Sequence, residues 1–172
     1  AATPGISQVA DDLHELGERA AQRNMRVAYE ALGWSHVVSD YRDSWEAVRR
    51  ANHPALGLCL DTFHIYSRQT EIDSVANIPG EKIFLVQIAD APKLRMDPLS
   101  WSRHHRCFPS QGQLELDKFM GQLRRTGYEG ALSLEIFNDQ FRAGNADSVA
   151  LDGHRSLIYL NRSPDKKPSP QP

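Results

Sequence analysis

The apolar run over residues 56–61, Leu-Gly-Leu-Cys-Leu-Asp, is the sequence feature that most constrains the fold. The turn-forming residues Asn52-His53-Pro54 precede it. A continuous apolar run next to turn signals is typical of a strand buried on both faces of a parallel sheet. Asp61 ends the run and His64 follows it. Because α/β folds carry their chemistry at the C-terminal ends of parallel strands, both are candidate functional residues. The alternative is that Asp61 only caps the next helix and His64 is a structural loop residue.

Strand-like and helix-like segments alternate along the whole chain. Strands are predicted over residues 25–30, 56–61, 82–88 and 131–136. Helices are predicted over residues 7–23, 44–52, 115–126 and 147–160, with a short helix within 62–78 and a long loop over 91–113. The expected N-caps are Ser7 for the first helix and Asp43 or Ser44 for the second. Strict alternation predicts a parallel sheet with right-handed crossovers. Four such units fit either a small doubly wound domain or half of an eight-stranded barrel, which typically needs about 250 residues.

Charge, hydropathy and cysteine content indicate which classes of partner and which compartment to expect. The formal net charge of −2 gives no indication of a nucleic-acid partner. No apolar run approaches the roughly 18 residues of a membrane-spanning helix, so no membrane partner is expected. Cys59 and Cys107 are isolated, which favours a reducing, cytoplasmic location over a disulfide framework. We expect one folded domain over residues 1–162 and a disordered, proline-rich tail over 163–172. Because the sequence does not begin with Met, we expect a fragment of a longer protein.

A metal-capable side chain stands at the end of each predicted strand. These four residues are Glu30, Asp61, Gln87 and Glu135. Three carboxylates and one amide oxygen form the hard, oxygen-rich ligand set that suits Mg²⁺, Mn²⁺ or a related divalent ion. In a barrel all four strand ends meet at one mouth, so ligands far apart in sequence come together. Taken singly, each residue has the alternative of being a helix cap or a partnered polar residue.

Five segments of the sequence carry a resemblance to a known family. They are Glu30-Ala-Leu-Gly-Trp34, Leu60-Asp-Thr-Phe-His64, Val86-Gln-Ile-Ala-Asp90, Ser100-Trp-Ser-Arg-His-His-Arg-Cys-Phe-Pro109 and Ser133-Leu-Glu-Ile-Phe-Asn138. Over about residues 5–160 the chain resembles the xylose isomerase-like barrels of the sugar phosphate isomerase/epimerase group, and more closely the bacterial 3-dehydroshikimate dehydratases. The resemblance implies the C-terminal half of a (β/α)8 TIM barrel, namely four βα units that correspond to strands 5–8. It also implies one divalent metal (Mg²⁺, Mn²⁺ or Co²⁺) and conversion of 3-dehydroshikimate to protocatechuate.

The resemblance leaves alternatives open at the level of the whole protein. One is a sugar or inositol isomerase, epimerase or dehydratase of the same barrel group, and another is an inactive fragment. Half a barrel exposes two sheet edges, so we expect the chain to pair with a missing N-terminal half-barrel or to form a homo-oligomer.

Roles for individual residues follow from the implied reaction, the dehydration of a small carboxylated cyclic substrate. His64 is the first choice for general base or acid because imidazole titrates near neutrality, and Glu30 or Glu135 could share the proton transfer while bound to the metal. A guanidinium fork suits the substrate carboxylate. The resemblance favours Arg106 for that contact, with Ser102 adding a hydroxyl. The further basic candidates are Lys93 and Arg103, for which the alternative is a solvated loop charge.

Overall fold

The computed structural model of the chain describes residues 5–162 and contains, over these residues, seven α-helices and four β-strands. The helices are α1 (Ile6–Ala21), α2 (Tyr41–Ala51), α3 (Thr62–Ser67), α4 (Pro98–His104), α5 (Leu116–Arg125), α6 (Asp139–Ala143) and α7 (Ala146–Leu160). The strands are β1 (Val27–Glu30), β2 (Leu56–Asp61), β3 (Ile83–Ile88) and β4 (Leu132–Leu134). Among the described residues, no helix combines the length and apolarity that crossing a bilayer requires. The predicted tail, 163–172, lies outside them.

The four strands form one parallel sheet in the order β1-β2-β3-β4. Each strand pairs with its neighbour in sequence, and the order never reverses. A doubly wound sheet would reverse its strand order at a switch point, whereas the wall of a barrel runs on in one direction. The structure therefore favours the half-barrel over the small doubly wound domain.

Strand β2 is buried along its whole length and lies at the centre of the core. Leu56, Leu58 and Leu60 are each 0% exposed, in a cluster with side chains of α1, α2 and α5. Burying each of these leucines contributes about 2 kcal/mol. Because side chains alternate along a strand, Cys59 and Asp61 point to the opposite face of the sheet. One side of β2 thus belongs to the apolar core, and the other side carries Cys59 and the predicted ligand Asp61.

The predicted elements are present, but several boundaries were wrong. Helix α2 begins at Tyr41 with Asp40 as its N-cap, not Asp43 or Ser44, because the Asp40 side chain accepts a hydrogen bond from the Arg42 N–H. Helix α1 follows Gly5 and has no side-chain cap, so Ser7 is not its N-cap. The predicted loop over 91–113 contains helix α4. The signals for α4 were Asp97, which caps it, and Pro98 at its first position, where a proline is favourable.

Asp90 anchors the segment between β3 and α5. Its carboxylate is 2% exposed and accepts backbone N–H groups of Ala91, Ser110, Gly112 and Leu114 at 2.8–3.1 Å. A Cβ on Gly112 would lie 2.3 Å from Asp90 Oδ1, so the close approach requires glycine. This anchoring fixes both ends of the segment that carries Arg106.

Candidate active site

The four predicted ligands lie at the C-terminal edge of the sheet. Glu30 and Asp61 end β1 and β2, Gln87 is the penultimate residue of β3, and Glu135 follows the last residue of β4. Asp61 pairs with Gln87 in the sheet register. The Gln87 Nε2 donates to Glu135 Oε1 at 2.9 Å. The parallel topology therefore brings these residues together across 105 positions of sequence, from 30 to 135.

Asp61 serves two purposes, one with each carboxylate oxygen. Its Oδ1 accepts the backbone N–H groups of Phe63 at 2.6 Å and His64 at 3.3 Å, which caps α3. Its Oδ2 lies 2.7 Å from Arg106 Nη1 and 3.8 Å from His64 Nε2. The helix-cap alternative and the functional interpretation of Asp61 are thus both compatible with the geometry, because they use different oxygens.

Arg106 is the largest fully buried side chain in the described structure, at 1% exposure. Its Nη1 donates to Asp61 Oδ2 at 2.7 Å and to Glu135 Oε2 at 2.8 Å. Its Nε and Nη2 both donate to Ser102 Oγ, at 3.1 and 2.8 Å. The ring of Phe63 lies 4.6 Å from the guanidinium carbon. The guanidinium therefore holds two of the predicted metal ligands at a fixed separation.

His64 is enclosed by N–H donors. Its Nδ1 accepts the Gly33 backbone N–H at 3.2 Å, and Arg106 Nη2 lies 3.2 Å from its Nε2. The Trp34 ring packs edge-on at a centroid distance of 4.8 Å. Both nitrogens thus face donors, and the carboxylate oxygens of Glu30 and Asp61 lie further away, each 3.8 Å from Nε2. Burial, followed by the charge of Arg106, lowers the pKa of His64 to about 3, so the ring is neutral at physiological pH.

Glu30 has a buried oxygen that lacks a hydrogen-bond partner. This atom, Oε1, lies 3.8 Å from His64 Nε2 and contacts no donor among the described residues. Burial, then the charges of Asp61 and Glu135, raise the pKa of Glu30 to about 7. Ligand atoms of Glu30, Asp61 and His64 all lie within 4.8 Å of one another. A buried carboxylate oxygen without a partner, next to two further carboxylates, fits the oxygen donor set of a divalent cation.

Comparisons with known proteins find relatives that share this architecture. The family model for the xylose isomerase-like TIM barrel matches residues 3–160. The chain belongs to the xylose isomerase-like TIM barrel family. A 3-dehydroshikimate dehydratase of Pseudomonas putida is 53% identical over 152 residues, which are 88% of this chain and 24% of that protein. The chain therefore spans about a quarter of the length of this curated relative.

Solved structures agree with the family membership. A xylose isomerase-like TIM barrel/4-hydroxyphenylpyruvate dioxygenase fusion protein superposes with a TM-score of 0.85 at 53% identity, over 88% of this chain and 24% of that one. The IOLI protein, solved with a binding zinc atom, superposes with a TM-score of 0.81 at 25% identity, over 88% and 54% of the two chains. These matches confirm the prediction of half a xylose isomerase-like barrel.

Two of the predicted substrate-binding residues in this xylose isomerase-like half-barrel lie apart from the strand ends. Ser102 is buried and its Oγ accepts hydrogen bonds from Arg106, and substrate binding by this pair stays a prediction. We call the strand-end cluster the group of side chains Glu30, Asp61, His64, Gln87, Arg106 and Glu135. Lys93 and Arg103 are exposed, and in the described structure neither side chain hydrogen-bonds or pairs with a residue of this cluster. Lys93 instead lines a groove of about 560 Å³ between α3 and α5. Substrate binding by either residue stays a prediction.

Sequence reasoning missed one contact inside the barrel wall. Cys59 entered the sequence analysis only as an isolated cysteine, but its Sγ donates to Gln87 Oε1 at 3.0 Å. The alternation of side chains along a strand could have indicated this contact. Cys59 lies two residues before Asp61 and therefore on the same face of β2.

Proposed function

We propose that this chain belongs to a metal-dependent 3-dehydroshikimate dehydratase, a lyase that converts 3-dehydroshikimate to protocatechuate and water. The observation that carries the proposal is the 53% identity to the Pseudomonas putida enzyme over 88% of this chain. The strand-end cluster supports it, because it combines carboxylates, a neutral imidazole and a guanidinium in one place. These are the groups that proton abstraction next to a ketone requires.

The residues that would hold the divalent ion are Glu30, Asp61, Gln87 and Glu135. Oxygen ligands of this kind suit Mg²⁺, Mn²⁺ or Co²⁺. When bound, such an ion polarises a substrate oxygen and stabilises the negative charge of an enolate. The partnerless Oε1 of Glu30 supports this assignment, because a buried carboxylate oxygen is normally satisfied by a donor or a cation.

His64 is the proposed general base. The reaction removes a proton from the carbon next to the ketone and expels the hydroxyl of the following carbon as water, and the resulting dienone tautomerises to the catechol. The base must be unprotonated at physiological pH, as the neutral ring of His64 is. The carboxylates of Glu30 and Asp61, 3.8 Å from its Nε2, can stabilise the imidazolium that forms when the ring takes the proton. We assign to Glu30 a share in the proton transfer, because its Oε1 lies 3.8 Å from His64 Nε2.

Arg106 has fewer N–H groups available for the substrate than a free guanidinium has. Its Nη1 is committed to Asp61 and Glu135, and its Nε is committed to Ser102. Only the Nη2–H that faces His64 is not directed at an oxygen. We therefore assign to Arg106 a single contact with the substrate carboxylate through this Nη2–H, and its main role is to orient the carboxylates of Asp61 and Glu135.

The test is product formation from 3-dehydroshikimate by the full-length protein supplied with Mn²⁺, Mg²⁺ or Co²⁺. Chromatography with mass detection should show protocatechuate, and chelation should abolish it. The Glu135→Gln variant should lose most of the activity, whereas Glu129→Gln, at an exposed position, should retain it. A metal-loaded protein that makes no protocatechuate but isomerises a ketose or an inosose would replace this function with the isomerase alternative.

A further inference from the structure

The side-chain amide of Gln87 hydrogen-bonds to two partners, one at its oxygen and one at its nitrogen. Its Oε1 accepts the Cys59 Sγ–H at 3.0 Å, and its Nε2 donates to Glu135 Oε1 at 2.9 Å. The ionised Glu135 carboxylate can only accept, so in a direct hydrogen bond it selects the Nε2 end. The Cys59 thiol is both a weak donor and a weak acceptor, so it can pair with either end of the amide.

This arrangement conflicts with a ligand role for Gln87. An amide binds a hard cation through its oxygen, because the NH₂ group has no lone pair to offer. Here the oxygen faces Cys59 and the NH₂ group faces Glu135, another member of the proposed ligand set. For Gln87 Oε1 to join Glu135 at a metal, the amide must turn by about 180°, which directs Nε2 towards Cys59.

Cys59 is suited to receive the amide in this second orientation. The residue is 5% exposed and lies on the same face of β2 as Asp61. Its Sγ lies 3.0 Å from Gln87 Oε1, within hydrogen-bond distance of the amide. A carboxylate or an ammonium at this position could accept from, or donate to, only one end of the amide. A thiol serves both ends without adding a charge beside the ligands.

We propose that Cys59 is a positioning residue for Gln87: its thiol donates to Oε1 in the metal-free protein and accepts from Nε2 when Gln87 binds the metal. Cys59 itself is not a ligand. Its contribution is to keep the turned amide satisfied, so that metal binding does not leave a buried N–H without a partner. This inference rests on the proposed metal site, since it concerns one ligand of that site.

The test is direct titration of the metal-free protein with Mn²⁺, followed by the electron paramagnetic resonance signal of the free ion. Three variants are compared with wild type: Cys59→Ala, Cys59→Ser and, as a matched control at the other buried free cysteine, Cys107→Ala. We expect the Kd of Cys59→Ala to rise by about tenfold or more, the range found for residues that orient metal ligands. Cys59→Ser should stay close to wild type, because a hydroxyl also donates and accepts. Cys107→Ala should be unchanged.

The outcomes separate this inference from the proposed metal site. If wild type does not bind Mn²⁺, the metal site fails and the inference falls with it. If wild type binds and Cys59→Ala binds equally well, only the inference is overturned, and the same holds if Cys59→Ser is as weak as Cys59→Ala. Should Cys59→Ala not fold, the pair Cys59→Thr and Cys59→Val decides, because the two side chains share a shape and differ only in the hydroxyl.

Discussion

Arg106 supplies the positive charge that two strand-end carboxylates require in the metal-free protein. Arg106→Met would leave Asp61 and Glu135 buried or half-buried without their cation, and breaking such a pair costs about 3–5 kcal/mol. We expect this loss in urea unfolding without metal and a smaller loss with saturating Mn²⁺, which provides a substitute charge. The control is Arg142→Met at the exposed pair with Asp139, where the change should stay below about 1 kcal/mol. Equal, small losses in both variants would contradict this role of Arg106.

Glu30 should make metal binding depend on pH. Its pKa is raised to about 7 by burial and by its carboxylate neighbours, so below that pH the metal-free protein carries a proton that the metal must displace. The Kd for Mn²⁺ should therefore rise as the pH falls below about 7, by up to about tenfold per unit for this one proton. Titrations at about pH 6 and pH 8 check the slope. Glu30→Gln should bind more weakly and lose this part of the slope, and an unchanged slope would assign the proton to another group.

At the scale of elements, the segment between β3 and α5 depends on one carboxylate. Asp90 accepts four backbone N–H groups. Asp90→Asn would turn an NH₂ group towards some of these donors, and we expect a loss of about 2–3 kcal/mol in chemical denaturation. Asp97→Asn is the matched control, because asparagine caps a helix such as α4 as well as aspartate does. A stable Asp90→Asn variant would show that the segment is held by other contacts.

The elements also show which parts of the fold a sequence can predict. Strand β2 was predicted at its observed bounds because a fully buried strand leaves an uninterrupted apolar run. Helix α4 was missed because its segment is rich in Pro, Arg and His, although Asp97 and Pro98 marked its start. The strand-end position of Glu135 followed from the parallel topology. Its contact with Arg106 could not be foreseen, because a side-chain pairing across 29 residues is set by tertiary packing.

At the scale of the whole molecule, the described sheet has two strand edges without neighbours, the outer sides of β1 and β4. Helix α7 beside β4 also exposes Leu151, Ile158 and Tyr159, at 48%, 47% and 57%. Unpaired strand edges next to exposed apolar side chains favour association with another surface. We therefore expect the 172-residue chain to self-associate, with an apparent mass above 19.4 kDa in light scattering that rises with concentration.

The same surface gives a test of where that association occurs. The double variant Leu151→Lys/Ile158→Lys places two charges on the exposed face of α7, and it should shift the chain towards the monomer without lowering its melting temperature, because both side chains are already half exposed. Leu94→Lys, on the segment after β3, introduces a charge at a similarly exposed leucine away from α7 and should leave the association unchanged. Association that persists in the double variant would place the contact on the open strand edges of β1 or β4 instead. A wild-type chain that stays monomeric at every concentration would contradict self-association through either strand edge or through α7.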